Sequence, residues 1–219
     1  MQRRREFLAA VPVGLLAASA GCLKLVTNDR AEYNASEASV SDAGLEETEY
    51  QHSDTQEQTI EESFEVGGVS RTVVASNWIS TYKKDLQVQG QQQEAARFAV
   101  VSTPAIKILG RTFNPVNEMS HEELLDRFRS QLSGQYEGLD QLEYVESRDE
   151  VILGNEVEVS TFQTEASMEG QTVELYVHVT TLTHEGDLIV AVGAHPAALA
   201  QERANAYELM RSIEHDGGD

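Results

Sequence analysis

The chain has 219 residues, of which 40% are hydrophobic, and its 37 acidic against 16 basic residues give a formal net charge of −21. This length suits one ordinary domain with a tail, and the hydrophobic content is enough for a packed core. The charge excludes a simple nucleic-acid-binding protein, because binding phosphates requires a basic face. The single cysteine excludes a disulfide scaffold and a metal site built from several thiolates.

An export signal is predicted over residues 1–21. Arginines near the start precede an apolar run of small and aliphatic residues, which is too short to cross a bilayer as a helix. Within it, Arg4, Arg5, Phe7 and Leu8 resemble the centre of the twin-arginine signal, which directs a chain to the exporter of folded proteins. The twin-arginine exporter and the signal-processing machinery are therefore expected partners.

A lipid anchor is predicted at the end of this signal. The sequence Ser-Ala-Gly-Cys at residues 19–22 resembles a lipobox, in which the cysteine becomes the first mature residue and carries the lipid. The usual leucine of that pattern is replaced by Ser19. Because Cys22 is the only cysteine, it has no intramolecular disulfide partner. We expect Cys22 to hold the protein on the outer face of the cell membrane; the alternative is ordinary cleavage nearby, which leaves a free thiol.

The segment that follows, residues 22–37, is predicted to be the anchor and a flexible acidic tether, since it has no sustained apolar period. It contains the glycosylation sequon Asn34-Ala35-Ser36, which makes Asn34 a candidate for modification. The acidic excess of the chain is typical of proteins that work in concentrated salt, where screening removes self-repulsion. A cation-binding surface is the alternative, but no calcium-loop pattern is present in the sequence.

Residues 38–215 are predicted to form a single domain, followed by a disordered tail at 216–219. In the first half, two strands are predicted on either side of the turn Gly67-Gly68. A polar loop at 83–93 follows, and then a third, central strand that ends at Pro104. Residues 106–109 are again mostly apolar and predict a short extra strand. The predicted strands of this half are 55–66, 69–82, 95–103 and 106–109.

The second half begins with a helix and returns to strands. Ser120 and Glu123 form a capping box, and the helix is expected to run to Gly134. The later turns contain glycine, and the strand nearest the end is apolar on both sides, which predicts a middle strand. The remaining elements are strands at 142–152, 156–167, 171–183 and 188–194 and a closing helix at 201–215.

These elements predict an α+β fold: a twisted antiparallel β-sheet of about six or seven strands, mostly a meander, packed with two main α-helices. The pattern is equally consistent with helices packed on one face of the sheet and with helices packed on both faces. The order of elements broadly resembles the PsbP-like and mycobacterial-type lipoprotein sandwiches, in which helices cover a twisted antiparallel sheet. That likeness is one of layout, without a shared motif.

Several segments together resemble an uncharacterised family of lipoproteins from haloarchaea. They include the twin arginines, the lipobox, Asn77-Trp78, the run from Ser102 to Pro115 and Leu209-Met210-Arg211, and the most specific is Gly-Arg-Thr-Phe-Asn-Pro at 110–115. The resemblance covers essentially the whole chain. It implies a halophilic archaeon and a membrane-anchored domain outside the cytoplasm. The family has no established activity, so it implies no catalytic residue.

The chain has six histidines but no helical zinc pair, nucleophile elbow, phosphate-binding loop or dinucleotide fingerprint. His178 shares a predicted strand face with Glu174 and Tyr176, where an acid–base pair or metal ligand competes with the plainer interpretation of a polar outer face. His121 is expected in the solvated first turn of the helix. No catalytic residue, metal or cofactor is predicted.

A binding loop is the remaining candidate site. Residues 102–120 join the predicted central strand to the helix, and Arg111, Asn114 and Asn117 offer hydrogen-bond donors there. The alternative is that this segment only shapes a tight turn before the helix.

The sequence therefore predicts a membrane-anchored lipoprotein with a non-enzymatic binding or accessory role in the cell envelope. Its partner would be an unknown envelope protein or small ligand. The alternatives are a carrier of an apolar ligand in a cavity between sheet and helices and, with less support, a hydrolase or metalloenzyme.

Overall fold

The protein is built on one large, mixed β-sheet. The computed structural model describes residues 30–66, 69–88, 91–105, 107–108, 111–112, 119–125, 142–168 and 171–217. In this part of the chain the strands are β1 Arg30–Asn34, β2 Ala38–Val40, β3 Gln51–Val66, β4 Val69–Val88, β5 Gln91–Pro104, β6 Lys107–Ile108, β7 Arg111–Thr112, β8 Glu143–Ile152, β9 Asn155–Met168, β10 Gln171–His184, β11 Asp187–Pro196 and β12 Ile213–His215. The helices are α1 Asp42–Thr48 and α2 Ala200–Arg211, and residues 121–125 are also helical.

The predicted fold class is wrong. The described residues are mostly strand, with an eight-stranded mixed sheet and short helices, and they do not form an α+β packing of two main helices. The closing helix ends at Arg211 instead of residue 215, and the last residues form β12, which pairs with β2. The predicted loop at 83–93 falls largely within the ends of β4 and β5. The antiparallel pairing of β4 with β5 continues through this segment to Val88 opposite Gln91, so polarity there does not mark a loop.

The main sheet has the order β3-β4-β5-β11-β10-β9-β8, and these neighbours are antiparallel. β3 occupies one edge of β4. β5 and β1 occupy the other edge, because β5 pairs with residues 78–88 of β4 and β1 pairs in parallel with residues 72–76. β11 lies between β5 and β10, as its apolar residues on both sides predicted.

The central strands of this sheet are covered on both faces. On one face, Phe98 and Ile189 pack in a core cluster with Leu209 and Met210 of α2. On the other, strand residues such as Phe162, Leu175 and Val190 form a second cluster with Leu125 of the helical segment. The two-faced burial explains why β11 carries no polar outer side: removing apolar surface from water on both faces is the main favourable contribution to folding.

The segment predicted as a flexible tether is partly ordered. Arg30–Asn34 forms β1, and Ala31 is buried against Val73. After it, Ser41 caps α1 by accepting a hydrogen bond from the Gly44 N–H. β1 escapes the sequence pattern because its residues RAEYN show no apolar alternation beyond two positions. No helix in the described part of the chain is long and apolar enough to span a membrane.

Candidate functional site

His178 lies in the interior of the protein. The sequence favoured a polar outer face for it, and the structure contradicts this interpretation because α2 covers that face of the sheet. His178 is 0% exposed and its ring lies 5.2 Å from the ring of Tyr207 on α2. A polar strand position next to a helix is therefore buried here instead of solvated.

Four side chains and one carbonyl form a continuous hydrogen-bonded series, which we call the histidine chain: Tyr207, Thr161, His178, His195 and the Pro196 carbonyl. Tyr207 Oη lies 3.2 Å from Thr161 Oγ1, which lies 2.9 Å from His178 Nδ1. The two histidines face each other through their Nε2 atoms at 3.0 Å. His195 Nδ1 lies 2.9 Å from the Pro196 oxygen. The chain thus runs across β9, β10 and β11 beneath α2.

Burial keeps both histidines neutral. It lowers the pKa of His178 to about 3, with smaller effects in the same direction from His195 and Arg203. Burial also lowers the pKa of His195, although the Pro196 carbonyl and Glu202 oppose the change. At neutral pH each imidazole therefore carries one proton and one lone pair.

Neutrality fixes the direction of every hydrogen bond in the histidine chain. The Pro196 oxygen can only accept, so His195 carries its proton on Nδ1 and accepts at Nε2. His178 must then donate from Nε2 and accept at Nδ1 from the Thr161 hydroxyl. Thr161 in turn accepts from the Tyr207 hydroxyl. Each nitrogen and each hydroxyl proton is thereby used inside the protein.

A buried ion pair lies on the same face. Lys84 Nζ lies 3.0 Å from Glu202 Oε1, and their side chains are 8% and 4% exposed. Lys84 also donates to the Thr48 carbonyl oxygen at 2.9 Å, and Asn205 donates to Glu202 Oε1. The second Glu202 oxygen, Oε2, is buried without a hydrogen-bond partner. The pair connects β4 to α2 and to the end of α1.

A second polar cluster, which we call the terminal clasp, joins both ends of the domain. The Asp187 carboxylate accepts hydrogen bonds from the Ser36 N–H at 2.8 Å and from His215 Nε2 at 3.1 Å. His215 Nδ1 lies 3.0 Å from His184 Nδ1. One carboxylate at the β10–β11 turn thus holds the chain just before β2 and the end of β12.

His121 occupies the first helical turn, as predicted, but it is only partly solvated. Ser120 and Glu123 form the predicted capping box, with the Glu123 carboxylate bonded to the Ser120 N–H and the Ser120 hydroxyl bonded to the Glu123 N–H. His121 Nδ1 lies 2.7 Å from Ser160 Oγ. Burial lowers the pKa of His121, against a raising effect of Glu158.

Most of the residues predicted to carry function lie outside the described residues. These are the lipid-attachment residue, the export signal and two donors of the binding loop: Cys22, Arg4, Arg5, Phe7, Leu8, Asn114 and Asn117. Arg111 begins the short strand β7, which pairs with β6. Asn34 is the exposed last residue of β1, and the next two N–H groups bond to the Ser76 oxygen and to Asp187. Its glycosylation stays a prediction.

The described residues contain no group of three or more histidine, cysteine or carboxylate side chains placed to hold a metal ion. The histidine chain is sealed: its rings are buried and its hydrogen bonds end on a backbone carbonyl. It is suited to fixing α2 on the sheet, because buried polar groups that are fully paired stabilise one arrangement over others.

Sequence reasoning missed His195, the ion pair and the terminal clasp. A usable signal was the β10–β11 turn at Glu185-Gly186: a two-residue turn sets His178 opposite Gly193, two residues from His195. Gly193 also lets α2 approach, since a Cβ there would lie 3.3 Å from the Ala206 Cβ. Nothing in the local sequence signals the pairing of Lys84 with Glu202, which are 118 positions apart (202 − 84).

The described residues thus form a mostly β domain. It has one large mixed sheet, whose central strands are covered on both faces, and a sealed histidine chain. Residues 37–214 match the family model described as a domain of unknown function, DUF6517, and the chain belongs to that family. The prediction of an uncharacterised family is confirmed at this level. No curated protein matches the chain in a sequence comparison.

Two solved structures are similar to the chain at low scores. One is PA94, a protein of unknown function from Pseudomonas aeruginosa proposed to be a regulator, with a TM-score of 0.34 and 12% identity over 72% of this chain and 99% of that one. The other is the PsbP protein CyanoP of Synechocystis sp. PCC 6803, with a TM-score of 0.35 and 10% identity over 83% and 93%. These TM-scores are too low to support an argument about function.

Proposed function

We propose that the protein is a lipoprotein of a halophilic archaeon, anchored through Cys22 to the outer face of the cell membrane. Its folded domain serves there as a non-enzymatic binding or accessory module of the cell envelope. The proposal combines the export and lipobox pattern at residues 1–22 with the acidic surface of the folded domain.

The observation that carries the halophilic part is the placement of like charges in the sheet. Glu165 on β9 lies directly opposite Glu174 on β10, and both residues are exposed. Asp149 on β8 likewise lies opposite Glu158 on β9. Like charges directly opposite each other destabilise a sheet in dilute solution, and salt screens this repulsion. A surface of this kind suits a salty exterior.

The closed histidine chain supports a non-enzymatic role. General acid–base catalysis requires a titrating group within reach of a substrate at the working pH. His178 is buried, and both of its ring nitrogens are hydrogen-bonded inside the protein. Neither nitrogen is therefore free to exchange a proton with a substrate. The two core clusters pack buried side chains on both sides of the central strands, and no observation on the described residues specifically favours the apolar-carrier alternative.

The anchor is tested by replacing its attachment residue. In a haloarchaeal host, Cys22→Ser is expected to move the protein from the membrane fraction to the medium or soluble fraction, because the lipid is lost. Ser19→Leu, which restores the usual lipobox residue, is the matched control and should stay in the membrane fraction. Unchanged membrane fractionation of Cys22→Ser would refute the lipid anchor.

A further inference from the structure

Strand β3 is an open edge of the main sheet. It pairs with β4 along one side, and no other described strand pairs with its second side. Natural edge strands are usually short or carry charged residues, proline or a bulge, because a long regular edge invites another strand. β3 spans 16 residues without proline, and its one register shift lies near its start, between His52 and Asp54. Its protection is a set of five acidic residues, whose repulsion is weakened by salt. From Asp54 to Val66 the edge is regular.

The midpoint of this regular stretch is Ile60, an aliphatic residue that is 46% exposed. When two copies of one strand pair antiparallel about a two-fold axis, the residue on the axis faces its own copy and all others face mirrored positions. A dimer centred on Ile60 would therefore cover this residue with itself. The interface would use the whole regular stretch.

The same register keeps the acidic residues of β3 apart. Centred on Ile60, each acid faces a neutral residue: Asp54, Glu57, Glu61, Glu62 and Glu65 face Val66, Ser63, Thr59, Gln58 and Thr55. Among the registers that pair seven or more residues of the regular stretch, those centred on residues 57, 58, 59, 61, 62 or 63 each set at least one acid against an acid. Registers centred on residues 56 or 64 avoid this but pair only five residues of the stretch. The pattern is thus self-complementary in one extended register, as a two-fold interface requires and a contact with an unrelated strand does not.

We propose that β3 is a dimerisation edge, on which a second copy of this chain docks antiparallel about Ile60 to continue the sheet across both molecules. Backbone hydrogen bonds between the two β3 strands supply the affinity, as in other cases of strand addition. The occupant is a second copy because the charge pattern mirrors itself. This interface is independent of the lipid anchor.

Salt should control the dimer. Acids that avoid direct opposition still lie on neighbouring diagonal positions of the same interface, and the two molecules carry the same sign of net charge. Screening therefore favours association, so we expect dimers in multimolar KCl and dissociation as the salt is diluted. A partner held by opposite charges would show the reverse dependence.

The test measures the molar mass of the full chain carrying Cys22→Ser by light scattering after size exclusion in multimolar KCl. The expected mass is twice that of the chain, and Ile60→Glu, which sets two carboxylates on the axis, should halve it. Val151→Glu is the matched control, since Val151 is an exposed aliphatic residue on the opposite edge strand β8 and should leave the dimer intact. A monomeric parent, or a dimer that survives Ile60→Glu, would overturn the proposal.

The register is tested by cysteine oxidation in the same background. Ile60→Cys is expected to form an intermolecular disulfide rapidly, because directly opposite Cβ atoms lie about 4.5–5.5 Å apart. Ser63→Cys, an exposed position on the same strand, faces Glu57 of the other copy and should cross-link poorly. Equal cross-linking of the two variants, or none at Ile60→Cys, would overturn the proposed register.

Discussion

Burial, and not residue type, determines what the histidines of this protein can do. His178 and His195 are potential acids, bases or metal ligands by composition, yet each is held in one neutral tautomer because their hydrogen bonds end on a carbonyl that can only accept. The direction of the chain follows from its last member, because the Pro196 carbonyl has no proton to give. A site that looks reactive in sequence is thus a structural support of α2.

The pH dependence of stability tests this description. The pKa of His178 is about 3 in the folded protein, below the 6.5 of the group in an unfolded chain. The unfolded state therefore binds more protons between these values, so this group's contribution is present above pH 6.5 and is lost as the pH falls toward 3.

Acid should therefore lower the free energy of unfolding, with His178 contributing a slope of up to about 1.4 kcal/mol per pH unit in that range. His178→Gln is expected to be less stable but to show a shallower slope, whereas Thr161→Ser, which keeps the histidine and a hydroxyl, should retain the slope. Urea titrations from pH 7 to pH 4 at constant salt measure both. An unchanged slope in His178→Gln would contradict the assignment.

At the scale of elements, α2 is attached to the sheet by more than apolar packing. Near the start of the helix, Glu202 forms an ion pair with Lys84, and in its middle the Tyr207 hydroxyl is hydrogen-bonded to Thr161. Near its end, the side chains of Leu209 and Met210 are fully buried. Polar pairs of this kind specify the position of a helix, whereas apolar contacts alone tolerate several positions.

Breaking the Lys84–Glu202 pair should be costly. Glu202→Ala leaves the buried Lys84 charge with only the exposed Glu49 carboxylate, 3.5 Å away, as an ionic partner, and losses of a buried partner are typically about 3–5 kcal/mol. The double variant Lys84→Met with Glu202→Leu should recover most of the loss, since it leaves no unpaired charge. The exposed pair Arg203–Glu146 is the matched control, and Glu146→Ala should change stability by less than about 1 kcal/mol.

Denaturant titrations give the change in the free energy of unfolding for each of these variants. A loss for Glu202→Ala no larger than that for Glu146→Ala would show that the pair does not position α2.

At the scale of the whole molecule, the acidic excess governs the response to salt. The net charge of −21 opposes the compact state, and the sheet adds local repulsion where Glu165 faces Glu174. Salt at high concentration screens both contributions. We therefore expect the stability of the fold to depend on the salt concentration.

The thermal midpoint is expected to rise as KCl increases toward multimolar concentration. Glu165→Lys replaces a repulsive cross-strand pair with an attractive one, so it should stabilise the protein at low salt by roughly 0.5–1 kcal/mol, and the gain should shrink in high salt. Glu156→Lys, which changes the same charge opposite Val151, is the control for net charge alone. Equal effects of the two variants would show that the cross-strand pair is not responsible.

Most strands of the main sheet are predictable from the sequence, because alternation and glycine turns are local signals. The β10–β11 hairpin, the central place of β11 and the capping box at Ser120 follow from neighbouring residues and agree with the structure. The predicted α+β class failed because helix number and length were read from periodicity, while β12 replaces the last turns of the closing helix to pair with β2.

Which polar residues are buried together depends on the packing of distant segments. A strand pattern shows that His178 and Glu174 share a face, but it does not show that α2 covers the first and leaves the second exposed. Lys84 with Glu202, and Asp187 with Ser36 and His215, come from distant parts of the chain, and their pairing depends on how the sheet brings them together. The physical reason is that desolvation and hydrogen bonding act through space, whereas sequence patterns report only neighbours along the chain.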